Sequence, residues 1–385
     1  MNSDRNETTN PEEGLVEGFS ESMESLEYRK ERKVYSLFII FLPILIIILI
    51  LSIVIYFFLK EPVNNKNENN EKDKSTEKDK DIENILFNYT IKEKISVFQN
   101  NSKPIRLFNE HYINLENNIT SIKINNRTID KFQNFYIFNT IGNYSVEITF
   151  NKKLKSMQEM FNGCADIVEI DLSDVDTSEV TSMKSTFSGC QNLSIINLQN
   201  FNTSLVKDMS YMFNECYNLT SLNLSIFNTS LVNDMSFMFH NCSRLRHINL
   251  SSFDTHNVYR MNYMFHLCNL ESLNVLNFNT EKVIYMNDMF SHCGVLTSLN
   301  LSSFNTKEVT DFSCLFKGNK YLQNIDISHF YTNKMTRYEN MFNQLPENGT
   351  IVINLQETSA LILNQIPDDW IKIKYFDSHN YIFKL

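Results

Sequence analysis

Residues 209–234 read MSYMFNECYNLTSLNLSIFNTSLVND, and this pattern recurs from Met157 to about Phe342. A phenylalanine closes each copy of the Met-rich segment, at Phe161, Phe187, Phe213, Phe239, Phe265, Phe290, Phe316 and Phe342. The spacing is 26 residues throughout, with one interval of 25. A fixed period of roughly 20–50 residues denotes a stacked array of short units, each leaning on its neighbours.

Within residues 219–245 the apolar positions are Leu219, Leu222, Leu224, Phe227, Val232, Met235, Met238, Phe239 and Cys242, after which Leu245 begins the next unit. The segment L-x-x-L-x-L alternates as a short strand does. Met235, Met238, Phe239 and Cys242 fall at i, i+3, i+4 and i+7, which predicts one buried face of about two helical turns. Asp234 precedes them where an N-cap belongs, and Ser182, Asp208 and Asp311 share its phase; Arg260 and Tyr285 do not. Each unit is therefore expected to run strand, turn, short helix, turn. A lone unit buries too few side chains to offset its ordering entropy, so only the stack is stable. No proline interrupts residues 105–345, as a parallel sheet requires.

L-x-x-L-x-L followed by a turn and a helix is the leucine-rich-repeat signature. The fuller pattern, L-x-x-L-x-L-S-x-F-[DN]-T-x-x-V-x-x-M-x-x-M-F-x-x-C, closely resembles the BspA-like leucine-rich-repeat surface proteins of bacteria, mycoplasmas and parasitic protists. The resemblance spans residues 157–342 in seven near-complete copies. It implies cell-surface display and, often, adhesion to host or neighbouring-cell molecules. Departures are Thr186 in place of Met, a residue lost before Leu270, and Asn319 in place of Cys.

The flanks suggest how such an array is held. Residues 36–59 are 24 uncharged, strongly apolar residues, long enough to span a bilayer. Arg29, Lys30, Arg32 and Lys33 precede them, so the positive-inside rule predicts a signal-anchored, single-pass topology in the cell membrane, with a cytoplasmic N-terminus and an extracellular C-terminal ectodomain. Residues 1–35 form the cytoplasmic tail, with Leu15, Phe19, Met23 and Leu26 at helical spacing. Residues 60–83 are charged and nearly free of apolar residues, the composition of a disordered stalk. Residues 84–150 alternate as strands do, clearest at Tyr144, Val146, Ile148 and Phe150. They are expected to form a small β-rich N-terminal cap. The string FYIFNTIGNYSVEITF within them resembles the last hairpin of PKD-type and immunoglobulin-like modules. Residues 151–345 carry the repeats, and 346–385 make a C-terminal cap with a helix near Leu361 and a strand over 371–376. The expected fold is an α/β solenoid: a leucine-rich repeat with a parallel β-sheet and short helices, preceded by the β cap domain and one transmembrane helix.

In leucine-rich repeats the residues between the strand leucines face the open, concave side. Here they form rows, the central one being Asp171, Asn197, Asn223, Asn249, Asn274, Asn300 and Asp326. His247 lies in a flanking row with Glu169, Ser221, Ser272, Ser298 and Asn324. Two readings apply: an amide ladder bonding rung to rung, or a neutral polar face that binds an extracellular protein or glycan. Six cysteines share one phase at a buried position, Cys164, Cys190, Cys216, Cys242, Cys268 and Cys293, which favours packed thiols over disulfides. His240 and His266 occupy matching positions but are expected to point outward, so no metal site is assigned. Of the fourteen N-x-S/T sequons beyond the apolar segment, Asn88, Asn118, Asn126, Asn143 and Asn348 lie outside the array and are the better glycosylation candidates.

A net charge of −10 argues against nucleic acid as a partner. No nucleophile-elbow, zinc-protease, P-loop or dinucleotide motif occurs, and no enzyme activity or cofactor is expected. The expected function is binding of macromolecules at a cell surface, in adhesion or recognition. The alternatives are a signalling receptor acting through the tail, or a structural coat.

Overall fold

The computed structural model describes residues 89–97, 104–109, 119–129, 134–151, 153–375 and 383–384. The tail, the transmembrane segment and the stalk expected over residues 1–83 lie outside the described residues, and among those described no helix is long and apolar enough to cross a membrane.

Two strands of the N-terminal region run the length of its sheet: β1 (Tyr89–Val97) and β6 (Gly142–Phe150) pair antiparallel over nine residues. β3 (Ile119–Ile124) adds to the other edge of β6 and carries β4 (Arg127–Thr128), while β2 (Ile105–Arg106) pairs with β5 (Phe135–Tyr136). The free edge of β1 takes β7 (Ile167–Asp171), the first strand of the array, in antiparallel register. One sheet therefore passes from cap to solenoid without an open edge between them.

The array contributes β7, β8 (Ile195–Asn197), β9 (Ser221–Asn223), β10 (His247–Asn249), β11 (Ser298–Asn300) and β12 (Asn324–Ile327), one rung per coil; residues 272–274 hold the matching place without forming a strand. β7–β8, β9–β10 and β11–β12 pair in parallel, each residue opposite its counterpart one repeat on. β13 (Thr350–Ile353) and β14 (Ile371–Lys374) continue the last sheet, and β15 (Phe383–Lys384) closes it antiparallel. The only described helix is α1 (Ala360–Leu363). Trp370 is buried over the final coil, donating its indole N–H to Pro346 O at 2.8 Å. Gly349 is required beneath it, since a Cβ there would approach the indole to 2.2 Å. The result is a parallel β-solenoid of about seven turns.

The short helices expected from the Met spacing are not formed. The backbone from Met235 to Cys242 alternates instead. The N–H groups of Met235, Phe237, Phe239 and Asn241 reach sideways to Arg260 O, Asn262 O, Met264 O and His266 O of the next coil, at 3.0, 3.0, 3.0 and 2.7 Å. Those of Met238, His240 and Cys242 close tight turns onto Met235 O, Phe237 O and Phe239 O. Phe237 and Asn241 have φ of 58° and 59°, the sign a type II turn needs at its third residue. The same two columns are left-handed in all eight copies: Glu159, Ser185, Tyr211, Phe237, Tyr263, Asp288, Cys314 and Asn340, then Gly163, Gly189, Glu215, Asn241, Leu267, His292, Gly318 and Gln344. A helix would spend its N–H groups internally and leave nothing to bind the next coil. The left-handed residues cost about 1–2 kcal/mol each where they are not glycine, and bonds along two sides of every coil offset that strain.

The apolar residues are buried as the spacing predicts: every Met, Val and Cys of residues 209–242, with Phe213, Phe227 and Phe239, is at most 1% exposed. The Phe column stacks ring on ring from Phe161 to Phe342 at 5.4–6.2 Å, and Phe108 of the cap covers its first ring at 5.6 Å. Asp208, Asp234 and Asp311 cap turns rather than helices, each accepting the N–H of the serine two residues on. The cysteines are free thiols, and burial pushes their pKa values up, that of Cys242 to about 12. From Cys190 to Cys293 each thiol of the column donates its S–H to the Phe carbonyl of the preceding coil, as Cys242 does to Phe213 O at 3.1 Å. Asn319, which replaces the Cys, makes the same contact through Nδ2 to Phe290 O at 2.7 Å. Thr177, Thr203, Thr229, Thr255, Thr280, Thr306 and Thr332 are buried too. Thr229 shows their role: its hydroxyl donates to Asp254 O and accepts from Asp254 N–H, both at 2.8 Å.

One buried group breaks this economy. Glu93 lies between Ile91 and Ile95 on the core side of β1, opposite Val146 and Ile170, with neither carboxyl oxygen hydrogen-bonded. Burial raises its pKa well above the usual carboxylate range. A folded-state pKa above the unfolded one stabilises fully at low pH and is lost as pH rises toward the folded value. The melting temperature is therefore expected to fall as pH rises above the ordinary carboxylate range toward the raised folded-state value, and Glu93→Gln to flatten that slope in a pH series of thermal melts. Separately, Cys242→Ala removes one of the two donors to the buried Phe213 carbonyl, the other being Cys216 N–H at 3.3 Å, and is expected to cost about 0.5–1.5 kcal/mol in denaturant unfolding, while Cys242→Ser, which keeps a donor, costs less.

Candidate functional site on the strand face

In each rung the middle residue points into the coil and the two beside it point out, as in β9, where Leu222 is buried between exposed Ser221 and Asn223. The central row therefore lies on the outer face: Asn223, Asn249, Asn274 and Asn300 are exposed, and Asp171, Asn197 and Asp326 half-exposed. It is not an amide ladder bonding rung to rung. Each Oδ1 accepts a backbone N–H two residues on in its own coil: Asp171 from Ser173, Asn197 from Gln199, Asn223 from Ser225, Asn249 from Ser251, Asn274 from Leu276, Asn300 from Ser302 and Asp326 from Ser328, at 2.9–3.2 Å. These Asx turns end each strand and swing the chain into the corner at the following leucine. Asn and Asp serve equally because only the acceptor oxygen is used. The Nδ2 of Asn223, Asn249, Asn274 and Asn300 remains as an outward donor, while the Asn197 side chain also meets the Asp171 carboxylate of the preceding rung.

The face is not uniform. Ladders join β7 to β8 and β9 to β10, but none joins β8 to β9. A cleft of about 470 Å³ opens there, walled by residues 194–199 of one coil and by Ser221, Leu222, Asn223, Ser225 and Ile226 of the next. Asn197 and Asn223 are thus brought together at one site. Ile195 and Ile226, 57% and 47% exposed, bring aliphatic groups into rows that are otherwise polar. No charged side chain lines the cleft. Ile195 stands in the flanking row where its neighbours are Glu169, Ser221 and His247, and that departure was its signal in the sequence. His247 lies apart, two coils on, with Nε2 at 3.8 Å from Glu271, which also meets Arg246 at 3.3 Å.

His240 and His266 sit on the turn side of the coil, half-buried rather than pointing freely outward. Their rings lie 5.1 Å apart, with His292 a further 5.6 Å on. Their Nδ1 atoms contact Asn214 Oδ1 and Ser291 Oγ, both at 2.7 Å. Burial, then the charges of His240, His292 and Lys317, lower His266 to about 4. Beside them Tyr211, Phe237 and Tyr263 stack at 4.5 Å spacing. Among the described residues no group of three or more His, Cys, Asp or Glu side chains is arranged to hold a metal ion. Of the sequon asparagines, Asn126, Asn143 and Asn348 are exposed, whereas Asn88 and Asn118 lie outside the described residues.

Because the Asx oxygen is structural, Asn249→Asp is expected to change stability by less than about 0.5 kcal/mol, and Asn249→Ala to cost about 1 kcal/mol. Chemical denaturation of the two variants measures the difference.

A family model described as "Mycoplasma protein of unknown function, DUF285" matches residues 155–270 and again residues 241–352. The two matches overlap and cover the array from its first coil to β13. No curated protein and no solved structure matches this chain. With residues 155–352 accounted for, just over half of the 385, the chain belongs to this family of repeat proteins.

Proposed function

We propose that this is a surface protein whose solenoid binds a macromolecule through the strand face, in adhesion or recognition. The observation that carries the reading is the cleft between β8 and β9. It puts exposed aliphatic side chains and the Asn223 amide donor together on a face whose regular turn chemistry is already satisfied. The Met, Phe, Cys and Thr columns are buried and serve the stack, so they are poor contacts for a partner. Concave or open faces of solenoids are the usual binding surfaces, because each rung presents its outward residues in register. The repeat pattern's resemblance to BspA-like surface proteins supports display outside the cell. The apolar run 36–59, with four basic residues just before it, supports anchoring with the repeats outside.

Two measurements test the reading. Protease applied to intact cells is expected to remove the repeats while sparing residues 1–35; full protection of the repeats would refute the orientation. Cells displaying the full chain are expected to adhere to host or neighbouring cells or to matrix, and Asn223→Lys or Asn249→Lys, which place charge on the neutral face, are expected to abolish adhesion. A coat or spacer protein would be indifferent to both substitutions.

A further inference from the structure

The gap between β8 and β9 lacks rung bonds, as do the junctions on either side of residues 272–274. Where the sheet is closed, a leucine N–H leaving one rung reaches the next: Leu172 to Asn197 O at 3.0 Å, Leu224 to Asn249 O at 3.1 Å and Leu301 to Asp326 O at 2.9 Å. Leu198 makes no such bond to Asn223 O. At the other end of the rung Ser194 N–H reaches Val168 O and Arg246 N–H reaches Thr220 O, each at 2.9 Å, while Thr220 makes no equivalent bond to Ser194 O. Main-chain donors and acceptors thus line the cleft unpaired, and such groups demand a partner when water is displaced.

The gap is too narrow for a further strand. Phe187 and Phe213 of the same two coils stack at 5.4 Å, and Lys207 N–H still reaches Thr181 O at 2.9 Å, so the coils keep rung spacing away from the cleft. An extended peptide therefore has no edge to extend. Groups that fit must be small, must donate and accept at once, and must carry no charge, because the walls hold none. Asn223 offers its Nδ2 donor, its oxygen being held by Ser225, while Asn197 has its oxygen held by Gln199 and its amide shared with Asp171. Ile195 and Ile226 offer C–H surface at the rim. A pyranose matches this set: each hydroxyl both donates and accepts, and the ring C–H groups pack on aliphatic side chains. An anionic ligand would find no cation, a basic one no carboxylate, and a lipid tail would leave the main-chain groups stranded.

We infer that the cleft between β8 and β9 is a subsite for a neutral sugar residue of a glycan, an inference that rests on the strand face being the binding face. The test is the full chain in lipid nanodiscs, applied to an immobilised panel of uncharged oligosaccharides ending in galactose, glucose, mannose or N-acetylglucosamine, beside a panel of extended peptides. Binding to at least one oligosaccharide is expected. It should weaken by at least about tenfold in Ile226→Asp and in Ile195→Glu, both at exposed positions, and stay unchanged in Tyr321→Ser on a distant coil. Thermal melts establish that each variant is folded, and either cleft variant suffices. No binding to any oligosaccharide, binding only to peptides, or sugar binding indifferent to both cleft substitutions would each overturn the inference. If adhesion of displaying cells still depended on Asn223 and Asn249 in those cases, the strand-face reading would stand and only the sugar would be wrong. If adhesion were absent as well, both would fall.

Discussion

The constraint on which this structure depends is that the polar backbone groups not closed by a turn within their own coil look for partners in the coil before or after it. A unit of 26 residues is too short to satisfy itself. Its strand N–H groups therefore go sideways, its Met-rich segment bonds sideways at every second residue, and its buried Thr hydroxyl bridges to the next coil with two bonds. Even the thiol is recruited, as a second donor to a Phe carbonyl that already closes a turn in its own coil. Side-chain stacking follows from the same spacing. Once the backbones are held one rung apart, identical rings must lie over one another, and the Phe column is the outcome.

This explains which residue types are interchangeable and which are not. Asn or Asp serves at the end of each strand because one acceptor oxygen is needed. Cys gives way to Asn at position 319 because both supply a donor at that depth. In the left-handed columns glycine, Asn, Glu, Leu and even Tyr alternate, which means the conformation is imposed by the stack rather than chosen by the residue. The ends obey the same rule. β1 satisfies the first rung from outside, and β13 to β15, with Trp370 packed on Gly349, continue and cover the last.

The face proposed for binding follows from what the stack does not consume. Most outward positions on the rungs are polar and locally satisfied, and unpaired groups are left only where that satisfaction lapses. The β8–β9 junction is such a place: rung bonds missing there leave backbone groups, two isoleucines and two amides around one cleft. On the turn side, by contrast, Tyr211 and Tyr263 stack on Phe237, and His240 and His266 stack on each other with their Nδ1 atoms engaged.

Period, burial and strand positions were legible from the recurrence of the pattern of residues 209–234 along the chain. A repeat of fixed length stacks like on like, and the apolar residues at constant phase must then be the interior. The outward row of Asn and Asp was legible for the same reason. Backbone conformation between the strands was not. Met235, Met238, Phe239 and Cys242 suit one face of a helix and one face of a turn ribbon equally well, because the two place side chains at similar intervals. Only the neighbouring coil, by claiming the N–H groups of Phe237, Phe239 and Asn241, decides between them. The recurring glycines at 163, 189 and 318 were the one local trace of that choice. The lapse between β8 and β9 left even less trace, beyond Ile195 in a polar row. Whether two rungs close is settled by how their coils sit on each other, and that is a property of the stack, not of any unit within it.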